Sequence, residues 1–172
     1  EAGSEGSICR TRQERFEHPL ARESKMVVEV DDPSYGKMLQ PGIAARMSLT
    51  PGSIRRPAPG LDQHREEILG ELKAKPSDGG GAADIKDNLR SALAGVKVLD
   101  LCIILAGPTL GRTMAEFGAD VIKIDNPARD STVARHNEIN RGKRSILLDL
   151  KSDEGREIFW KLLEDADVVA EN

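Results

Sequence analysis

Residues 95–125 read GVKVLDLCIILAGPTLGRTMAEFGADVIKID, and this stretch decides the fold. Residues 96–101 are a short, largely apolar run that follows a glycine, which predicts a buried β-strand. Residues 108–117 have helical spacing and are followed by Gly118, a residue type that commonly ends helices. Residues 121–124 predict a second strand. A strand, a helix and a strand with short joints indicate a parallel sheet with a right-handed crossover.

The same alternation continues toward the C-terminus. Residues 145–149 form a short extended run, and Ser152 is a suitable cap for a helix whose first turn holds Asp153 and Glu154. The apolar stripe of that helix consists of Ile158, Phe159, Leu162 and Leu163. Val168 and Val169 begin another predicted strand. We therefore predict an α/β fold class, with the start of a parallel sheet over residues 93–172.

The N-terminal half has a different pattern. Residues 26–30 predict a short strand, whereas residues 36–60 contain glycine and proline at intervals that prevent a long helix or a central strand. Asp62 is a candidate cap for a helix that ends near Leu72. Residues 76–92 include three consecutive glycines and predict a flexible linker. The alternative is a long surface loop inside one domain.

Composition excludes several classes of protein. The 172 residues include 25 basic and 29 acidic ones, so the chain lacks the cationic excess of a typical nucleic-acid-binding surface. No apolar run reaches the roughly 18 residues of a membrane-spanning helix. Cys9 and Cys102 fit neither a disulfide framework nor a four-cysteine zinc site, which favours a reducing, cytoplasmic compartment. The three histidines are scattered, so we assign no metal site and no catalytic triad.

Two local features near the predicted strands are candidate binding elements. The turn at residues 105–111 contains Gly107 and Gly111, which allow an anion to approach a helix N-terminus. It lacks the third glycine of a dinucleotide fingerprint, so a tight structural turn is the alternative. Asp125 follows the second strand, where it could bind a ribose hydroxyl or be a solvated loop acid.

A basic cluster follows in this acidic chain. Arg141, Lys143 and Arg144 place three cations within four residues, and such a group can neutralise phosphates through charge-assisted hydrogen bonds. The alternative is an ordinary solvated loop. In either interpretation we expect these side chains to be exposed to solvent.

The order of the motifs resembles family III CoA-transferases, a group that includes formyl-CoA transferase and α-methylacyl-CoA racemase. The matching motifs are VLDL at 98–101, LAGP at 105–108, FGADVIKI at 117–124, GKRSI at 142–146, LDLK at 148–151 and ADVVAEN at 166–172. The N-terminal zone is similar to the closing segment of such a protein, with PSYG at 33–36, TPG at 50–52, PAP at 57–59, and His64, Glu67, Ile68 and Leu69 after them.

The resemblance implies a junction between two tandem modules. Residues 1–75 are the C-terminal tail of an upstream module, 76–92 the linker, and 93–172 the N-terminal part of a second module. A single, circularly arranged module is the alternative. The chain begins at Glu1 and stops at Asn172, directly after a predicted strand, so we expect a fragment of a longer protein.

The resemblance also implies a coenzyme A site on a Rossmann-like large domain, with no metal. Acyl-CoA and a small carboxylic acid are the expected substrates. By position, the implied site consists of Leu105 and Ala106 along the CoA path, Lys143, Arg144 and Lys151 near the phosphates, Leu148, Asp149 and Leu150 at the nucleotide end, and Asn172 at the thiol channel. Formyl-CoA transferase has a glutamine where this chain has Leu105, so we do not expect oxalate chemistry. Asn126 stands in place of a basic residue of that enzyme.

Family members transfer CoA through an aspartate that forms an anhydride and then an aspartyl-CoA thioester. Its position lies downstream of Asn172, as does the His/Asp pair of the racemase branch, so we expect no catalytic residue in this chain. The alternatives are the racemase or dehydratase branch, or a catalytically silent nucleotide-binding or assembly module. An interlocked dimer, or intramolecular pairing of the tandem modules, is the expected assembly.

Overall fold

A computed structural model describes residue 3 and residues 8–74, 91–129 and 137–172 of the protein. The chain forms two compact units, Glu1–Ala44 and Ala45–Asn172. Most of the predicted linker, residues 76–90, lies outside the described residues, so its flexibility remains a prediction. The boundary between the units falls well before that linker, and residues 45–74 therefore share a compact unit with the predicted sheet.

The first unit contains two short helices and a hairpin. Its elements are α1 (Arg12–Glu17), α2 (Pro19–Glu23), β1 (Val27–Asp32) and β2 (Gly36–Pro41). The two strands pair antiparallel, with Val27 opposite Pro41 and Asp32 opposite Gly36. Gly36 has a φ of +70°, a conformation that favours glycine at this tight turn. The sequence predicted the first strand and missed the second.

The second unit is built around a parallel sheet. Its elements are α3 (Arg65–Ala74), β3 (Lys97–Asp100), α4 (Ala106–Glu116), β4 (Asp120–Asp125), α5 (Asn137–Asn140), β5 (Arg144–Leu147), α6 (Asp153–Leu163) and β6 (Val168–Ala170). The four strands lie in the order β5-β4-β3-β6, and every neighbouring pair is parallel. The predicted α/β class is thereby confirmed.

Two predicted helix ends, at Ser152 and Gly118, are confirmed by their hydrogen bonds. The third is wrong: α3 begins at Arg65, and the Asp62 carboxylate binds the Leu147 N–H and the Arg65 side chain instead of capping the helix. The Ser152 side chain accepts a hydrogen bond of 3.0 Å from the Gly155 N–H at the start of α6. Gly118 follows α4 with a φ of +108°, and its N–H donates to the Ala115 carbonyl at 3.1 Å. Helix α4 begins two residues before the predicted start, because Pro108 fits within a first helical turn, where its missing N–H costs no helical hydrogen bond.

Both faces of the sheet are covered. Successive strand residues point to opposite faces, so each strand supplies side chains to two apolar layers. One layer joins Leu99, Ile122, Ile124 and Ile146 of the strands to Leu162 of α6 and Ile68 of α3. The other layer joins Val98 and Val121 to Ala115 of α4 and to Ala119. The sheet core thus includes a helix from the segment that precedes the predicted linker.

Residues 62–65 cover the outer edge of β5. The His64 N–H donates to the Ser145 carbonyl at 3.0 Å, and the His64 Nδ1 accepts from the Ser145 N–H at 3.1 Å. An edge strand exposes a row of unpaired backbone groups, which proteins commonly cover. Here one histidine satisfies both outward-facing groups of Ser145.

We expect Ile68→Ala to lower the free energy of unfolding by about 2–5 kcal/mol, because Ile68 is completely buried against the sheet. Leu49→Ala is the control, since Leu49 lies in the same unit with its side chain 91% exposed. Urea unfolding followed by the fluorescence of Trp160, the single tryptophan, measures both variants. Equal, small effects would show that α3 does not unfold together with the sheet.

The hydrogen bond to His64 also predicts a pH dependence. Burial lowers the pKa of His64 below its ordinary value of 6.5; Glu67 opposes this shift, and Arg56 and Arg144 reinforce it. The folded protein therefore favours the neutral ring, whose Nδ1 is an acceptor, while the unfolded chain takes up a proton near the ordinary pKa. The His64 contribution to stability is present above about pH 6.5 and is lost as the pH falls below that value.

The measurement is the free energy of unfolding between about pH 5 and pH 8, for the natural chain and for His64→Asn. Asparagine keeps an acceptor oxygen but does not titrate, so the variant is expected to lose less stability on acidification. Identical pH profiles for the two proteins would contradict the assignment.

Candidate functional site

The candidate site lies at the carboxyl edge of the sheet, where β3, β4, β5 and β6 end at Asp100, Asp125, Leu147 and Ala170. The chain proceeds from β3 outward to β4 and β5, and then crosses to the other side of β3 to form β6. The strand order therefore reverses between β3 and β6. In open α/β sheets, ligands bind in the crevice at such a switch point.

Asn172 ties the two sides of this switch point together. Its Oδ1 accepts from the Ile103 N–H at 2.8 Å, and its Nδ2 donates to the Ile103 carbonyl at 3.2 Å. The next residue, Ile104, has a φ of +71°, a strained value for a β-branched side chain. Strained residues of this kind persist only where surrounding contacts hold them in place, and they cluster at active sites and ligand-binding sites.

The predicted residues Leu105 and Ala106 lie beside this contact, at the start of α4, and both are exposed. The loop packs tightly underneath them: a Cβ added to Gly107 would lie 2.3 Å from the Cys102 Sγ and 3.5 Å from the Asn172 side chain. Glycine is therefore required at position 107. The structure thus brings Leu105, Ala106 and Asn172 together.

Leu148, Asp149, Leu150 and Lys151 form a turn directly after β5. Leu148 is buried, and its N–H donates to the Asp125 carbonyl at 3.0 Å. The Asp149 Oδ1 accepts from the Lys151 N–H at 3.0 Å, while the Lys151 side chain is exposed. This turn lies at the same edge as the β3 loop but two strands away, which is about 10 Å at ordinary strand spacing.

The expectation that the basic cluster is exposed is wrong. Arg141 and Lys143 have no exposed surface, and Arg144 is 5% exposed. Each cation is paired with a carboxylate, Arg141 with Glu116 at 2.7 Å and Lys143 with Asp100 at 2.7 Å. The charges of these side chains are therefore already neutralised within the protein.

Lys143 connects the segment before β5 to the carboxyl end of β3 and to the first turn of α4. Its Nζ donates to the Asp100 Oδ2 at 2.7 Å, the Pro108 carbonyl at 2.8 Å and the Asn140 Oδ1 at 3.1 Å. The Asp100 Oδ1 accepts from the Cys102 N–H at 2.9 Å, so the pair also holds the loop after β3. Burial lowers the pKa of Lys143 below its ordinary value, and the Asp100 carboxylate opposes that shift.

Arg144 lies in a different environment, at the opposite edge of the sheet. Its Nε donates to Asp120 of β4 at 3.0 Å, and its Nη1 donates to Glu67 and Glu71 of α3 at 3.0 and 2.7 Å. Because Asp120 is the first residue of β4 and Arg144 the first of β5, this group lies at the amino edge of the sheet. Arg144 therefore faces away from the candidate site.

Asp125 is neither solvated nor free. It is 8% exposed, and its Oδ1 lies 2.9 Å from the Nζ of Lys123. Asp100 has no predicted role, although the sequence contains a signal for one. Asp100 is an acid within an apolar strand, and a buried acid requires a buried cation or several hydrogen bonds.

The remaining features of the described residues lie outside this site. A cavity of about 60 Å³ lies between α3 and α6, lined by residues that include Ile68, Leu72, Val98 and Leu162, and it is far smaller than a typical ligand pocket. Among residues 3, 8–74, 91–129 and 137–172, no three His, Cys, Asp or Glu side chains are grouped so that they could hold a metal ion. No helix in the same ranges combines the length and apolar character needed to cross a membrane.

Comparison with known proteins agrees with the motif order. A family model described as CoA-transferase family III matches residues 1–65 and 93–172. Succinate–glutarate CoA-transferase of Agrobacterium fabrum is 38% identical over 103 aligned residues, which cover 49% of this chain and 26% of that protein. The CoA-transferase/lyase DddD of Marinomonas sp. is 29% identical over 176 residues, which cover 97% of this chain and 21% of that protein.

Solved structures include similar proteins. A crystal structure of a CAIB/BAIF family protein from Brucella suis is 42% identical, with a TM-score of 0.43, over 48% of this chain and 26% of that one. The chain therefore spans about a quarter of the length of the relatives it matches.

We expect Lys143→Met to lower the free energy of unfolding by about 3–5 kcal/mol, because it leaves the Asp100 carboxylate buried without its cation. Lys151→Met is the matched control at an exposed position, with an expected change within about 0.5 kcal/mol. Urea unfolding of both variants measures the difference. A small effect of Lys143→Met would mean that the ion pair does not hold this edge of the sheet.

Proposed function

Because the chain belongs to CoA-transferase family III, we propose that it supplies part of the coenzyme A site of an enzyme that transfers CoA between an acyl-CoA and a carboxylic acid. The observation that carries this proposal is the pair of hydrogen bonds between Asn172 and Ile103. They join the ends of β6 and β3 at the switch point, beside the exposed Leu105 and Ala106.

The site residues divide into two groups by their surroundings. The pantetheine arm of CoA contacts Leu105, Ala106 and Asn172. Its nucleotide end is held by Leu148, Asp149, Leu150 and Lys151. Lys151 is exposed, and no carboxylate of the described residues lies within ion-pair distance of its side chain, so its charge is available to a phosphate. Lys143 and Arg144 support the CoA site only indirectly, because their charges are neutralised in ion pairs with Asp100 and Asp120.

We expect the residues of the chemical step to lie outside the matched motifs of this chain. In the family, an aspartate attacks the acyl-CoA carbonyl, which forms a mixed anhydride and releases the CoA thiolate. The thiolate then attacks the aspartyl carbonyl, which forms the aspartyl-CoA thioester and releases the carboxylate. The position of that aspartate lies outside the matched motifs. The succinate–glutarate relative is a CoA-transferase for small dicarboxylic acids by name, which supports a carboxylic acid as the acceptor here. The 172-residue chain by itself is therefore expected to bind CoA without turning it over.

The organisation as a junction of two modules is also part of the proposal. Residues 1–75 are the C-terminal tail of one CoA-transferase module, and residues 93–172 are the N-terminal part of the next. Residues 76–92 are the linker between them. The family model matches the chain on both sides of this linker and not within it. The Marinomonas relative aligns across nearly the whole chain and is about twice as long as the Agrobacterium relative, as a protein with two modules would be. The two modules pair within the chain or as an interlocked dimer.

The test is a titration of the isotopically labelled 172-residue chain with CoA, followed by the backbone amide signals in NMR spectra. We expect shifts at Leu105, Ala106, Asn172 and residues 148–151. An absence of shifts at millimolar CoA would overturn the proposed site. The same signals give the dissociation constant for each variant.

Lys151→Ala is expected to weaken CoA binding about fivefold, which corresponds to roughly 1 kcal/mol for one exposed charged contact. The loss should shrink with added salt, because exposed charges are screened. Lys161→Ala, on the exposed side of α6, is the control. Comparison with 3′-dephospho-CoA shows whether Lys151 contacts the 3′-phosphate. Unchanged affinity and salt dependence in Lys151→Ala would remove this residue from the site.

A further inference from the structure

The backbone of Leu147 is held from both sides, at the point where the chain leaves the sheet. Leu147 is the last residue of β5 and lies opposite Asp125 of β4, and the next N–H, that of Leu148, donates to the Asp125 carbonyl. The outward-facing N–H of Leu147 donates to the Asp62 Oδ1 at 2.7 Å. Its carbonyl accepts a short hydrogen bond from the Arg65 Nη2.

Asp62 and Arg65 are also bound to each other. The Arg65 Nε lies 2.7 Å from the Asp62 Oδ2, so one carboxylate binds both the arginine and the Leu147 N–H. The Asp62 N–H also donates to the Ser145 Oγ at 3.3 Å. Asp62 has a φ of +60°, a strained conformation that persists where surrounding contacts fix it. We call Asp62 and Arg65 the edge clamp.

From this geometry we propose that the edge clamp positions residues 148–151 for binding the nucleotide end of CoA, an inference that rests on the proposed function. The clamp binds the outward-facing N–H and carbonyl of Leu147, the residue immediately before this turn. Without it, these two groups would lose their partners. The turn would then be held by Leu148, which is buried, and by bonds from Ser152 and Arg156 to the carbonyls of Asp149 and Lys151. Asp62 and Arg65 are therefore positioning residues, which do not themselves contact CoA.

The clamp also connects the two sides of the linker. It comes from the segment before residues 76–92, whereas the turn that it holds comes after them. If the chain is a junction of two modules, the tail of the first module controls the CoA site of the second. Arg55, in the same tail, instead donates to the Ala115 and Ala119 carbonyls, at 2.9 and 3.1 Å, near the amino edge of the sheet. It therefore attaches the tail without touching the site.

The experiment compares Asp62→Ala, Asp62→Asn and Arg55→Met in the 172-residue chain, with CoA as the probe in the same NMR titration. We expect Asp62→Ala to raise the dissociation constant at least fivefold and to abolish the CoA-induced shifts at residues 148–151. The shifts at Leu105 and Ala106 should remain. Asp62→Asn keeps an oxygen that accepts from the Leu147 N–H, so it should restore most of the affinity.

Arg55→Met separates positioning from a general loss of stability. Both Arg55→Met and Asp62→Ala remove hydrogen bonds that attach the tail to residues after the linker, and urea unfolding measures how much stability each variant loses. The inference is overturned if the two variants weaken CoA binding equally, or if Asp62→Ala leaves the shifts at residues 148–151 unchanged. If CoA causes no shifts in the unsubstituted chain, the proposed function itself is overturned.

Discussion

Three buried cations at the start of β5 hold the second unit together. Arg141, Lys143 and Arg144 are each bound to an acid from a different element, namely α4, β3 and β4. An unpaired charge in the interior costs several kcal/mol, so the loss of any one of these acids would destabilise the unit. The arrangement also separates two roles, because Lys143 stabilises the carboxyl edge of the sheet while Arg144 stabilises the amino edge.

The site at the carboxyl edge depends on this framework. Lys143 fixes Asp100 and the first turn of α4, and Asp100 in turn fixes the Cys102 N–H. The loop that follows then presents Ile104 in its strained conformation, Leu105 and Ala106, with Asn172 closing it from β6. The exposed side chains of the candidate site therefore rest on a layer of buried, paired charges.

The segment before the linker is a structural part of the sheet unit. Ile68 fills one apolar layer, His64 covers the β5 edge, and Glu67 and Glu71 bind Arg144. The hydrogen bonds of His64, Glu67 and Glu71 span more than 70 residues of sequence, and no local pattern signals them. The motifs of this segment predict the tail of another module, and in the structure the segment packs on the sheet that follows it.

The sequence by itself determined the order of the strands and longer helices from β3 to β6, although it missed β2 and the short helices α1, α2 and α5. Strands β3 and β4, the Ser152 cap and the Gly118 helix end follow from local periodicity and from backbone preferences, which act within a few residues. The motif order also determined the family. Only the tertiary structure decided the state of the charges. A run such as Arg141–Arg144 has the same composition on a surface and in a core. Whether Lys143 contacts solvent or Asp100 depends on strands that are distant in sequence and adjacent in space, because pairing between charges is a property of the packed fold.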